Sequence, residues 1–258
     1  MADAIIELRR VDPVTVMTLS AGKANAFDTT LLEAITQTID AALADGAQAL
    51  IITGDGATFS GGLALPQLID LDRDGVRRLI TTFATAMRRV LEAPIPVIAA
   101  INGNAIAGGC VLALMCDERI MTAQGPKGPP RIGLNEAQLG LGLPAVVVEL
   151  VRARVPAGSH VRVMLEGRLV EPPEALALGL VDQVVPAEQF EARALERATA
   201  LAASDPTAYA QIKRAMLRPT IEAITRFDAA DTEAWLDTWF SVEGQRRMRA
   251  TVARITKK

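Results

Sequence analysis

Apolar positions alternate between a strand rhythm and a helix rhythm up to about residue 185, after which the helix rhythm prevails. Val14-Thr15-Val16-Met17-Thr18-Leu19 has the β-branched content of a strand, and Ala4 to Arg9 reads as its partner across an Asp12-Pro13 turn. Leu31, Leu32, Ile35, Ile39 and Leu43 then recur at spacings of three and four, behind Asp28 as N-cap and ahead of Gly46 at the C-cap. Ala49 to Thr53 is almost wholly apolar, the mark of a strand covered on both faces. A second amphipathic helix follows: Val76, Leu79, Ile80, Phe83, Met87, Val90 and Leu91 form its stripe, between Asp72-Arg73-Asp74 and Pro94. Pro96 to Ile101 and Arg119 to Thr122 read as further strands, with a short apolar segment ending at Met115 between them. Beyond Pro186 there is little strand signal, and Pro206, Pro219 and Asp231 are expected to punctuate the helices.

This order predicts an α/β core over residues 1–190 and a helical region over 191–258. No compositional linker separates the two, so the second is expected to pack on the first and not to stand as an independent domain. Gly125-Pro126-Lys127-Gly128-Pro129-Pro130 reads as a surface loop.

Composition then removes several chemistries. The 258 residues are 50% hydrophobic and 22% charged, enough to build a core. His160 is the only histidine, and Cys110 and Cys116 the only cysteines, so neither zinc-ligand spacing nor a choice of Ser-His or Cys-His pairs is available. Aromatics at 3% and a net charge of −3 disfavour a nucleic-acid partner. No run reaches the ~18 apolar residues of a membrane span. The opening residues have no basic stretch of the signal-peptide kind, and the expected location is cytoplasmic. The two cysteines are expected to be buried and free in a reducing compartment.

Chemistry must therefore come from carboxylates, hydroxyls or main-chain groups. Gly54-Asp55-Gly56 is a poor dinucleotide fingerprint, since Phe59 stands where a third glycine belongs, and Gly103 to Gly109 lacks the ending of a phosphate loop. Phe59-Ser60-Gly61-Gly62-Leu63 and Ala105-Ile106-Ala107-Gly108-Gly109-Cys110 lie at strand-to-helix junctions, where glycine lets a ligand approach free N–H groups. Converging, they would form an oxyanion hole; read alone, they also fit plain tight turns. Glu136 is a lone carboxylate among small and apolar residues, fit for a general base if buried and for a surface loop if not. Glu149 is an outside candidate for a second acid. Arg77, Arg78, Arg88 and Arg89 form a polar helix face.

Together and in this order, the three segments resemble the crotonase superfamily of enoyl-CoA hydratases and isomerases. The family patterns are F-[SC]-x-G-x-D, N-G-x-x-x-G-G-G-C and G-x-x-E-x-x-L-G, and Ala24-Asn25-Ala26-Phe27 and Pro173 to Val181 also follow the family. The resemblance implies a spiral of ββα units with a C-terminal helical region. Family hydratases use two glutamates; one matches Glu136, and the other falls where this chain has Val111. An apolar residue after the cysteine, and Asn135 ahead of the glutamate, are similar to the mitochondrial-type Δ3,Δ2-enoyl-CoA isomerases. Ala107 for a glycine and Ala64 for an aspartate are departures from the family pattern.

The resemblance implies a 3-enoyl-CoA substrate, Glu136 as base, and the N–H groups of Leu63 and Gly108 as oxyanion donors. CoA, carried by the substrate, would be gripped near Lys23, Ala24, Ser60 and Gly62; no metal or separate cofactor is implied. It implies a homotrimer or dimer of trimers, with Trp235, Trp239 and Phe240 either at subunit contacts or in the core. Hydration of an enoyl-CoA, or non-catalytic binding of CoA thioesters, are the alternatives.

Overall fold

The computed structural model describes residues 5–256. The chain opens with β1 (Ile6–Val11), β2 (Val14–Leu19), α1 (Thr29–Ala44) and β3 (Ala49–Gly54). There follow β4 (Thr58–Ser60), α2 (Leu65–Leu68), α3 (Arg73–Leu91), β5 (Val97–Ile101), β6 (Asn104–Ile106), α4 (Gly108–Met115) and β7 (Glu118–Thr122). Next are β8 (Ile132–Gly133), α5 (Glu136–Leu139), α6 (Ala145–Arg154), α7 (Pro172–Leu178) and β9 (Gln183–Val185). The helices α8 (Phe190–Ala202), α9 (Pro206–Trp239) and α10 (Val242–Ile255) complete the chain. Two sheets result. The larger has the order β1-β2-β3-β5-β7-β9, in which only β1 runs antiparallel to its neighbour; the smaller is β4-β6-β8, all parallel. This is an α/β core with a helical C-terminal region, as the sequence predicts.

The near-continuous apolar strands have the reason expected of them. Met17, Leu19, Leu50, Ile52, Val97, Ala99 and Met121 face the main core, which also takes in the buried stripes of α1 and α3. The alternate residues Val14, Val16, Ile51, Ile98, Ala100 and Ile120 face Phe190, Ala194 and Ala198 of α8. A period of two with both faces covered makes every position apolar. Asp28 accepts from the Leu31 N–H (2.8 Å) and Asp72 from the Gly75 N–H (2.7 Å), which starts α1 and α3 where their caps predict.

One expectation needs correction, one falls partly outside the described residues, and one feature was not anticipated. The first strand begins at Ile6, and its proposed start at Ala4 lies outside the described residues. Pro206 does open a helix, but Pro219 and Asp231 break nothing, since both lie inside the 34-residue α9. Tertiary packing of Leu217, Ile224, Trp235, Leu236 and Trp239 holds that helix through its proline. The small sheet was not expected at all: its strands have two or three residues, too few for periodicity to register.

Away from that sheet a charged cluster is buried. Asp117 accepts from Lys213 Nζ (2.7 Å), Tyr209 OH (3.1 Å) and the Val97 N–H (3.0 Å). Lys213 also donates to the Ile95 carbonyl (3.2 Å), so α9 is pinned to the start of β5. Arg119, itself buried, is held by Asp182 (2.7 Å). Among the described residues no helix is long and apolar enough to cross a membrane.

Candidate active site

The small sheet explains why three distant segments meet. Each of its parallel strands runs out at the same edge into one of the glycine- or glutamate-bearing segments. β4 leads into Gly61-Gly62-Leu63, β6 into Ala107-Gly108, and β8 into Leu134-Asn135-Glu136. Ala105 pairs with Ile132 and Ile106 with Gly133, and the Ala107 N–H donates to the Gly133 carbonyl (2.8 Å), which locks the last two in register.

Close packing of the first two segments depends on glycine. Gly62 has φ +79°, and a β-carbon there would lie 2.8 Å from the Ile106 carbonyl oxygen and 2.9 Å from the Gly108 nitrogen. A β-carbon on Gly109 would lie 2.2 Å from the Ser60 carbonyl oxygen. Ala107, between them, takes φ +53°, ψ −118°, a region that non-glycine residues avoid. Asn25 knots the assembly from behind. It is fully buried, its Oδ1 accepts from the Ala21 N–H (3.0 Å), and its Nδ2 donates to the Thr58 carbonyl (2.8 Å). Its own carbonyl accepts from Ser60 Oγ (2.8 Å). An asparagine between two alanines was the signal available for this strut.

Leu63 and Gly108 both border one cavity of about 590 Å³, and among the described residues neither N–H has an acceptor within the protein. Phe27 brackets Leu63: its N–H donates to the Gly62 carbonyl (2.7 Å) and its carbonyl accepts from the Ala64 N–H (2.9 Å), leaving the Leu63 N–H unused. Gly108 is the first residue of α4, where an N–H has no partner within its helix. The helix dipole adds a positive end at the same place.

Glu136 borders the same cavity. The residue is partly exposed as a whole, but Oε2 is out of contact with solvent and has no hydrogen-bond partner. Burial pushes its carboxyl up to about 7, a rise only partly offset by the hydrogen bond from its own N–H. Val111, on α4, borders the cavity as well. The remaining wall is mostly apolar, with Ile80 and Phe83 of α3, Leu141, Val147 and Trp235 among its residues. None of the described residues forms a cluster of ligands suited to a metal.

The other candidates are distributed as follows. Ala24 borders the cavity, while the side chain of Lys23 lies outside what the structure describes. Ser60 is fully buried and its hydroxyl is engaged by Asn25 and by the Gly62 N–H (3.2 Å), so it shapes the loop from within. Glu149 pairs with Arg152 (3.2 Å) and does not reach the cavity. Arg77 is paired with Glu233, Arg88 with Glu92 and Arg89 with Asp40, all on the surface. His160 Nε2 meets the Val155 carbonyl (2.9 Å). Cys110 and Cys116 are buried and free, and burial raises both thiols, that of Cys116 to about 12. Trp235 and Trp239 are buried, and Phe240 is partly exposed. Phe83, Leu141 and Trp235 as cavity walls were not read from the sequence, because an apolar side chain facing a cavity has the same periodicity as one facing the core.

A family model described as enoyl-CoA hydratase/isomerase matches residues 9–248. A putative enoyl-CoA hydratase of Thermus thermophilus is 39% identical over 170 residues, 64% of this chain and 63% of the relative. Human mitochondrial enoyl-CoA delta isomerase 1 is 34% identical over 183 residues, 70% of this chain and 59% of the relative. The chain thus spans about three fifths of the length of these two relatives. Among solved structures, human mitochondrial delta3-delta2-enoyl-CoA isomerase superposes with a TM-score of 0.91 at 26% identity, covering 98% of this chain and 99% of that one. An enoyl-CoA hydratase/isomerase family protein from Pseudomonas syringae gives 0.84 at 29% identity, covering 90% and 98%.

Proposed function

The chain belongs to the enoyl-CoA hydratase/isomerase family, and within it we propose that the protein converts 3-enoyl-CoA to 2-trans-enoyl-CoA with Glu136 as its single base. One observation carries this reading: among the described residues, Glu136 is the only titratable side chain bordering the cavity, and apolar Val111 stands where a second acid would be needed. Hydration requires water to be held and protons exchanged by two groups, whereas allylic isomerisation needs one group that takes a proton from one carbon and returns it to another.

In the proposed reaction the thioester oxygen accepts hydrogen bonds from the N–H groups of Leu63 and Gly108. Glu136 takes a proton from C2, and the electron pair of that C–H bond delocalises into a dienolate whose charge rests on the oxygen facing the two donors. The C3=C4 electrons then accept the same proton at C4 while a C2=C3 double bond forms. A carboxyl titrating near 7 suits both halves, since it must bind and release a proton with similar ease. The apolar wall around Phe83, Val147 and Trp235 would take the acyl chain. The CoA portion would leave past Lys23 and Ala24, over the loop shaped by Ser60 and Gly62, with no metal or further cofactor taking part. The assembly proposed is a homotrimer or a dimer of trimers in the cytoplasm.

The test supplies 3-trans-hexenoyl-CoA and follows formation of the conjugated thioester, with hydration of crotonyl-CoA run in parallel. Isomerisation that disappears in Glu136→Gln is expected. Efficient hydration with no isomerisation would replace this reading by a hydratase, the activity named for the Thermus relative.

A further inference from the structure

Asn135 occupies the N-cap position of α5, yet its side chain caps nothing. An asparagine there ordinarily accepts from one of the first free N–H groups of its helix. Here the N–H of Gln138, a group such a side chain would accept from, turns instead to the main-chain carbonyl of Asn135 (3.1 Å), which also takes the ordinary helical bond from the Leu139 N–H (3.2 Å). The amide is thereby freed. Its Oδ1 is out of contact with solvent, has no partner among the described residues, and belongs to a side chain that borders the cavity. Oε2 of the adjacent Glu136 is in the same condition. Two buried, unpartnered polar atoms on consecutive residues of one cavity wall are unusual, because such groups ordinarily satisfy each other or another group.

The chemistry of the amide suits both states of its neighbour. A carboxylate accepts only, whereas a protonated carboxyl also donates. An amide carries a donor and an acceptor on one short lever, and a half-turn about its last torsion exchanges them. Other groups near Asn135 cannot serve this purpose: the remaining wall is nearly all apolar, and the Cys110 thiol, the titratable neighbour of Glu136 on α4, is fully buried and neutral.

We propose that Asn135 is a positioning residue for the base: its amide donates to the Glu136 carboxylate before proton transfer, accepts from the carboxylic acid after it, and keeps the carboxyl aimed between C2 and C4. The inference rests on Glu136 being the base, and its test has one arm that needs no turnover.

Asn135→Leu removes both polar atoms at nearly constant shape, and Asn135→Asp replaces the amide by a second carboxylate. In the first arm the titration of Glu136 is read without substrate, from the pH dependence of the stability difference between each protein and the same protein carrying Glu136→Gln. Loss of the donor proposed for the charged form should raise the midpoint in Asn135→Leu by about one pH unit, and a like charge should raise it at least as far in Asn135→Asp. In the second arm kcat for isomerisation should fall about tenfold in Asn135→Leu, the worth of one hydrogen bond to a charged group, with KM nearly unchanged. The acid limb of the kcat/KM profile should move with the midpoint. Unmoved midpoints in both variants overturn the proposal, as does a rise in KM with kcat unchanged, which would make Asn135 a plain substrate contact. A wild-type protein that shifts no double bond defeats the isomerase reading, and the first arm still decides the role of Asn135.

Discussion

Gly62 abuts the main-chain nitrogen of Gly108: a β-carbon on the former would stand 2.9 Å from the latter. The two segments that supply the proposed oxyanion donors are therefore packed at main-chain contact, with no room for a side chain between them. Gly62→Ala is expected to displace the Gly108 N–H and to strain a backbone held at φ +79°. The rate of isomerisation should fall by about 10²–10³-fold, the usual cost of one oxyanion donor. The thermal midpoint should fall too, as alanine at a positive φ destabilises. Steady-state kinetics on protein shown by circular dichroism to be folded measures the first effect, and a melting curve the second.

Glu136 should govern both the pH dependence of the rate and part of the pH dependence of stability. With its carboxyl near 7, kcat/KM is expected to fall as pH drops through that value, because the protonated acid cannot act as base. The sign for stability is the reverse. A raised carboxyl binds its proton more tightly in the folded chain, so its contribution is intact below its unfolded value and is lost as pH rises through the folded one. Glu136→Gln should thus be inactive yet more stable than wild type at about pH 8, by at most about 3 kcal/mol, with the gap closing toward acid pH. Denaturant titrations at several pH values check this, and equal stabilities throughout would show that the carboxyl is not raised.

Val111→Glu would set a second carboxyl on the wall that carries Glu136. Hydration of crotonyl-CoA is expected to appear or increase, followed as loss of enoyl-thioester absorbance, and isomerisation to decline. A buried charge without a cation should cost about 3 kcal/mol or more of stability. A variant that folds and shows no hydration would mean that the identity of this residue does not choose the reaction.

The Asp117 cluster should matter for folding and not for chemistry. Lys213→Met removes a buried cation from Asp117 and leaves a carboxylate whose remaining partners among the described residues are Tyr209, the Val97 N–H and a more distant Arg154. Removing one partner of a buried pair typically costs about 3–5 kcal/mol. Chemical denaturation should register that loss, while kcat of the folded fraction stays within about twofold of wild type because nothing in the cluster borders the cavity.

Much of the scaffold was legible because its signals are local. The stripe from Val76 to Leu91 is buried along its length, Asp28 and Asp72 cap the helices they precede, and the strand from Val14 to Leu19 has the bounds its residues predict. Local signals fail where packing overrules local preference, as at Pro219 inside α9, or where an element is too short to have a period, as in β4, β6 and β8. The resemblance puts Ser60 near the CoA portion of the substrate, and only the structure shows that its hydroxyl is turned inward onto the Asn25 carbonyl, because nothing local distinguishes a hydroxyl that faces outward from one spent on the main chain.

By itself, then, the sequence determined which chemistry was possible: one histidine, two separated cysteines and a lone glutamate among glycine turns leave main-chain donors and a carboxylate. Only the tertiary structure decided that these groups meet. Leu63, Gly108 and Glu136 lie far apart along the chain and share one cavity because three tiny parallel strands end at one edge. It also decided the proton affinity of Glu136, since desolvation depends on what packs around a group and not on its neighbours in the chain.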